Sequence, residues 1–189
     1  MAHHIKSIII GTGSYIPEEV VLNSFFLEHE FYEKDGSKVK RNNEVVIQKF
    51  QAITDIEERR YVSKGQTASE IGYLSAKKAI EDAGISPEEL DYIIVAHNLG
   101  DVKENSNRLD IMPALASRIK FNLAIENADC VAYDVPFGCP GWVQALIQAD
   151  YFIRSGDAKK ILVIGTETLW RIVDPHDRDS MIFSDGAGA

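Results

Sequence analysis

A chain of 189 residues can bury a substantial core and points to one domain, or one and a half. With 45% hydrophobic and 26% charged residues it is globular rather than disordered, and a net charge of −9 excludes the basic face that a nucleic-acid partner demands. The same charge repels acidic protein partners unless a local basic patch offsets it, for which Arg59, Arg60, Lys77 and Lys78 are the candidates.

The elements follow in chain order. The β-branched run Ile5 to Ile10 predicts a buried strand, and Gly11-Thr12-Gly13 a turn. A dinucleotide fingerprint would need a third glycine where Ile16 stands before Pro17, so that reading fails. Asn23 is a candidate N-cap for a helix through Phe25, Phe26 and Leu27. The polar stretch Lys34 to Asn43 reads as a loop. Val46, Ile47, Phe50 and Ile53 then repeat at helical spacing, and Arg59 to Val62 forms a short strand.

Thr67 opens an amphipathic helix carrying Ile71, Leu74, Ala79 and Ile80, with Glu70 completing a capping box and Gly84 at its end. After a short turn at Ser86 to Glu89 comes a buried strand, Tyr92 to Ala96. A further helix begins near Pro113, a residue suited to a first turn, and carries Leu115, Ile119 and Leu123. The last third reads as a strand from Asp129 to Val135, a helix from Pro140 to Arg154 stopped at Gly156, and a strand from Lys160 to Gly165. Such alternation predicts an α/β fold with helices packed on a sheet. The sequence ends on Asp185-Gly186-Ala187-Gly188-Ala189, an abrupt stop whose glycines imply a tight turn or close backbone approach.

Two cysteines, Cys130 and Cys139, are too few for a disulfide framework or a four-ligand zinc site, and His3, His4, His29, His97 and His176 form no metal-type cluster with them. No membrane-length apolar run and no signal-peptide layout occur, so the expected location is cytoplasmic, with no membrane and no nucleic acid among the partners.

Chemistry concentrates in Phe137-Gly138-Cys139-Pro140-Gly141-Trp142, between a strand and a helix apolar nearly all round. Such a helix is normally buried. Cys139 then lies at its N-terminal end, where unpaired N–H groups and the dipole favour a thiolate. The flanking glycines leave room for a substrate carbonyl. The alternative is an inert buried thiol, the reading preferred for Cys130, which sits inside its strand without cap or glycine. A free-standing cysteine hydrolase needs a histidine placed to activate the thiol; His97 is the one to check, and a structural role suits it better.

Ala132-Tyr133-Asp134-Val135 leading into Gly138-Cys139 resembles the nucleophile strand and turn of the beta-ketoacyl-acyl-carrier-protein synthase III family. Gly11 to Pro17, Asp174-Pro175-His176-Asp177-Arg178 and Asp185 to Ala189 agree in order and spacing. Ile56 to Arg59 is similar to the family's Gly-Ile-x-Glu-Arg element, with Asp55 where glycine is usual.

The resemblance implies one N-terminal domain over 1–189, the first of two thiolase-like halves. Its expected architecture is a layered α-β-α half with a mixed, mostly parallel sheet and a buried central helix starting at Cys139. The implied activity is acyl transfer from acyl-coenzyme A, a substrate rather than a bound cofactor, to Cys139. Decarboxylative condensation with malonyl-acyl-carrier-protein follows, in fatty acid or related biosynthesis. The histidine and asparagine of the catalytic set belong to the second half. Gly138 and Trp142 would line the substrate pocket, and Met112 would cross into the partner's acyl pocket in a homodimer. The residues that hold the coenzyme A adenine fall near Lys49 and Ile53 here, which leaves that grip unassigned. Hydroxymethylglutaryl-coenzyme A synthases, polyketide synthases and head-to-head condensing enzymes are alternatives within the superfamily. A non-catalytic thiolase-like partner subunit is the alternative outside enzymes.

Overall fold

A computed structural model describes residues 6–106 and 108–189. After a stretch without regular secondary structure at 6–13 come two short strands, β1 (Ser14–Tyr15) and β2 (Glu19–Leu22), and a 3-10 turn at Asn23–Phe26. Helix α1 (Asn43–Thr54) is capped by Asn42, whose side chain accepts the Glu44 N–H at 3.0 Å. It ends on Asp55 in the left-handed region (φ 56°), the conformation glycine adopts most easily and Asp tolerates. Strand β3 (Glu58–Tyr61) pairs antiparallel with β2.

Helix α2 (Ala68–Ala83) starts at Thr67, whose N–H donates to the Glu70 carboxylate at 2.8 Å, and stops at Gly84 (φ 63°). Then follow β4 (Tyr92–His97), the small hairpin β5 (Asp101–Val102) with β6 (Leu109–Asp110), and α3 (Leu115–Asn122). Strand β7 (Val131–Pro136), helix α4 (Gly141–Ser155), strand β8 (Ile161–Glu167) and strand β9 (Gly186–Gly188) complete the order.

The main sheet runs β1-β9-β8-β4-β7. Strand β4 lies parallel to both β7 and β8, whereas β9 is antiparallel to both β8 and β1. Being covered on both faces, β4 reads as a continuous apolar run. Helices α2 and α3 pack on one face over Ile93, Val95, Leu162 and Ile164, and α4 packs on the other over Ile94, Val135 and Val163. The layering is α-β-α and the sheet is mixed.

Several expectations change. The run expected as a strand from Ile5 to Ile10 forms no strand over 6–10, the turn expected at Gly11-Thr12-Gly13 does not form either, and Ile8 is 78% exposed. Ile5, like His3 and His4, lies outside the described residues. Periodicity reports a preference for extended backbone, whereas a strand also needs a neighbour for its hydrogen bonds. Asn23 is no N-cap: buried, it donates to the Ile56 carbonyl at 2.7 Å. Helix α3 begins at Leu115, two residues after Pro113 and so close to where it was expected, and Asp134 on β7 accepts its first N–H.

Helix α4 begins at Gly141 rather than Cys139, and its buried residues are Gly141, Ala145 and Ala149. Val143, Ile147 and Tyr151 remain exposed, since one sheet face can cover only one side of a helix. Finally, Arg59 belongs to no surface patch. It is 3% exposed, with its guanidinium enclosed by protein carbonyls.

Candidate active site

The parallel strands β4, β7 and β8 end together, with His97 opposite Pro136 and Ala96 opposite Gly165. The crevice beyond the carboxyl ends of such strands is where open α/β sheets bind ligands. Gly138, Cys139 and Pro140 leave β7 there. Gly138 takes φ 78°, and its carbonyl accepts the Gly141 N–H at 2.9 Å, closing a tight turn with Cys139 and Pro140 at its centre. The Pro140 carbonyl accepts the Gln144 N–H at 3.0 Å, joining the turn to α4.

Cys139 is exposed at this turn. Among the described residues, the backbone N–H groups of Cys139, Trp142 and Val143 have no protein acceptor, so they can meet an incoming carbonyl oxygen. Cys130 is the opposite case: it is buried, and burial pushes its thiol above the usual range, so it stays protonated. The two cysteines thus differ in burial, Cys130 enclosed and Cys139 exposed.

Of the other expected site residues, Gly138 lies in the turn itself. A Cβ there would stand 3.8 Å from Asn98 Oδ1, which brings the loop after β4 against the Cys139 turn. Asn98 is held by its N–H donating to Glu167 Oε2 at 2.7 Å. Trp142 packs over Gly165, where an added Cβ would come within 3.3 Å of its indole. Met112 lies apart from these, 76% exposed on the loop before α3.

His97 does not activate the cysteine. Its Nδ1 accepts the Gly100 N–H at 3.0 Å, which leaves the proton on Nε2, and that N–H donates to Asp134 Oδ2 at 3.0 Å. Asp134 also accepts the Leu115 N–H at 2.7 Å and the Ala116 N–H at 2.8 Å. One carboxylate on β7 thus ties the end of β4 to the start of α3, five positions ahead of Cys139. The sequence reading passed over this role, although a carboxylate within an otherwise apolar strand was the available signal.

A cavity of about 630 Å³ lies between Phe25, His29, Tyr61, Trp170, Arg171 and Ser180. Trp170 Nε1, Arg171 Nε and Ser180 Oγ are buried there without partners among the described residues. Behind it, Asp185 Oδ2 accepts the Val62 N–H at 3.0 Å, yet burial pushes this carboxyl up to about 6. Because the folded value exceeds the ordinary 3.8, the protonated form is favoured by folding. Its stabilisation is full below about pH 4 and lost as pH rises through 6, an effect of about 3 kcal/mol. Urea midpoints measured between pH 4 and 7 should therefore fall less steeply in Asp185→Asn than in the parent; equal slopes would show that Asp185 titrates normally.

An α-β-α half with a cysteine turn at the carboxyl ends of its parallel strands defines the thiolase-like class. Within that class, residues 133–189 match the family 3-oxoacyl-[acyl-carrier-protein (ACP)] synthase III. A "Beta-ketoacyl-[acyl-carrier-protein] synthase III" of Xanthomonas campestris pv. campestris strain 8004 is 40% identical over 190 aligned residues, covering 100% of this chain and 51% of the relative.

Solved structures agree. The 3-oxoacyl-[acyl-carrier-protein] synthase III of Aquifex aeolicus VF5 superposes with a TM-score of 0.73 at 35% identity, over 95% of this chain and 51% of that one. The priming beta-ketosynthase of the R1128 polyketide pathway gives 0.75 at 26% identity, over 95% and 47%. The chain is a homologue of the beta-ketoacyl-acyl-carrier-protein synthases III and spans about half the length of the curated relatives it matches.

Proposed function

We propose that Cys139 is the acyl acceptor of a synthase III-type acyltransferase. The observation that carries this reading is the exposed Cys139 turn, with unpartnered N–H groups around it at the carboxyl ends of β4, β7 and β8. In the proposed step Sγ attacks the thioester carbonyl carbon of an acyl-coenzyme A. The backbone N–H groups stabilise the oxyanion, and the carbonyl reforms as the coenzyme A thiolate leaves and takes up the proton that Cys139 gave. The products are an acyl-cysteine thioester and free coenzyme A.

Condensation with malonyl-acyl-carrier-protein then releases carbon dioxide and transfers the acyl group to the resulting carbanion. That step draws on the histidine and asparagine assigned by resemblance to the other half of the family's chain. The 189 residues alone are therefore expected to self-acylate but not to condense, since members of a catalytic set act as a unit. In the same reading the protein works in the cytoplasm as a homodimer, with Met112 reaching the partner's acyl pocket. Among the described residues, no helix is long and apolar enough to cross a membrane, and no group of three or more His, Cys, Asp and Glu is placed to hold a metal ion.

Intact-mass spectrometry after incubation with a panel of acyl-coenzyme A thioesters checks this. A thioester-sized adduct is expected on the parent and none on Cys139→Ala. An adduct that persists in Cys139→Ala would sink the assignment. So would a failure to load here under conditions where the corresponding cysteine of the Xanthomonas relative does load.

A further inference from the structure

Strand β4 is apolar through Ala96, and the His97 ring that ends it is taken up by Asp134 and the Gly100 N–H. The next residue, Asn98, is exposed in the crevice beyond the strand ends. Its backbone is fixed there. The Asn98 N–H donates to Glu167 Oε2 at 2.7 Å, and the other oxygen of that carboxylate accepts the Thr168 N–H at 3.2 Å. The side-chain amide of Asn98, by contrast, has no hydrogen-bond partner among the described residues. The end of β8 thus holds the end of β4 in place and leaves one amide group free beside the Cys139 turn.

That amide is close enough to meet a group carried on Cys139. A Cβ at Gly138 would stand 3.8 Å from Asn98 Oδ1, ordinary van der Waals contact. Cys139 follows about 3.8 Å further along the backbone. The thioester carbonyl oxygen has the backbone N–H groups of the turn as its donors, so Asn98 is left for the acyl chain, near its third carbon. Phe137, exposed beside the turn, offers such a chain apolar contact but no hydrogen bond. An alkyl chain lying over Asn98 displaces water from the amide and returns nothing. An oxygen at the third carbon replaces the lost hydrogen bond.

We propose that Asn98 is a specificity-determining residue, which selects acyl groups bearing a hydroxyl or keto oxygen at the third carbon over plain alkyl groups of the same length. The inference rests on Cys139 as the acyl acceptor. The amide serves both kinds of oxygen, because Oδ1 accepts from a hydroxyl and Nδ2–H donates to a keto oxygen. Transfer itself is the step given above. The bond from Sγ to the acyl carbon forms, the bond to the coenzyme A sulfur breaks, and the thiol proton passes to that sulfur. Asn98 neither gives nor takes a proton.

The test times the loading of Cys139 by intact mass with butyryl-, 3-hydroxybutyryl- and 3-oxobutyryl-coenzyme A, with Cys139→Ala as the blank. Inherent reactivity differs among these thioesters, so each rate is divided by that for butyryl and compared with the same ratio in Asn98→Leu. Both ratios are expected to be at least about tenfold higher in the parent. Asn98→Asp, whose ionised carboxylate accepts but does not donate, should keep the hydroxyl ratio and lose the keto ratio. A merely structural role would not produce that split. Ratios unchanged in Asn98→Leu, or both lost in Asn98→Asp, would overturn the proposal while leaving Cys139 as the acceptor. No adduct from any of the three thioesters, under conditions where the Xanthomonas relative loads, would overturn both readings.

Discussion

Asp134→Ala is expected to lower stability by about 3–5 kcal/mol, because three donors lose an ionised acceptor at once. The carboxylate accepts three hydrogen bonds, from His97 Nε2–H and from the first two amides of α3. Bonds to an ionised acceptor contribute about 1.5–3 kcal/mol each, and removing the acceptor leaves the buried donors without partners. His97 has no alternative, because Nδ1 already accepts from Gly100. Asp134→Asn keeps the shape and one oxygen and should lose roughly half as much. The measurement is the urea midpoint of both variants, together with amide exchange at Leu115 and Ala116. A midpoint within error of the parent for Asp134→Ala would mean that water replaces the carboxylate freely and that the tie between β4, α3 and β7 is dispensable.

Arg59→Met comes second, with an expected loss of about 3 kcal/mol. The guanidinium donates to the Met181 carbonyl at 3.1 Å, the Val21 carbonyl at 3.1 Å and Asn23 Oδ1 at 2.5 Å. It also lies over the rings of Phe26 and Phe50, at 4.9 and 5.8 Å from their centroids. Burial pulls its pKa below the ordinary arginine value, without a neighbouring carboxylate to offset the lost hydration. Methionine fills similar volume and removes that desolvation penalty, but it strands three acceptors at about 1–3 kcal/mol each, so the loss should dominate. Arg59→Lys, with a point charge in place of a planar fork, should fall between the two. A variant with methionine at 59 as stable as the parent would show that the desolvation penalty had cancelled the hydrogen bonds.

These two residues also mark where sequence reading stops. The capping box at Thr67, the stops at Gly84 and Gly156, and the alternation from β4 to β8 were legible because each is local. The Cys139 turn was legible for the same reason: glycine, proline and the following apolar run define a strand-turn-helix within a few residues. Arg59 looked like surface charge because nothing nearby in sequence reveals that Val21, Asn23 and Met181 converge on it. The His97–Asp134 pair joins separate strands through a register no single segment contains. Apolarity alone could not tell how much of α4 the sheet would cover. For Ile8 to Ile10 the expected strand is absent, because pairing belongs to a neighbour that no local pattern reveals.

The pairing of Ser14 and Tyr15 with Gly188 and Ala187 bears on the order in which the molecule is made. Its two sides lie almost the whole chain apart, so joining them closes the longest loop available, whereas α2 and α4 need only their own sequence. On a ribosome, the first residues would emerge long before β9 exists to receive them. Gly11 and Gly13 must then wait against the Ala79 and Ser75 backbone, where only glycine fits. This edge of the sheet is expected to be the last to close during synthesis and the first to open when the chain is strained.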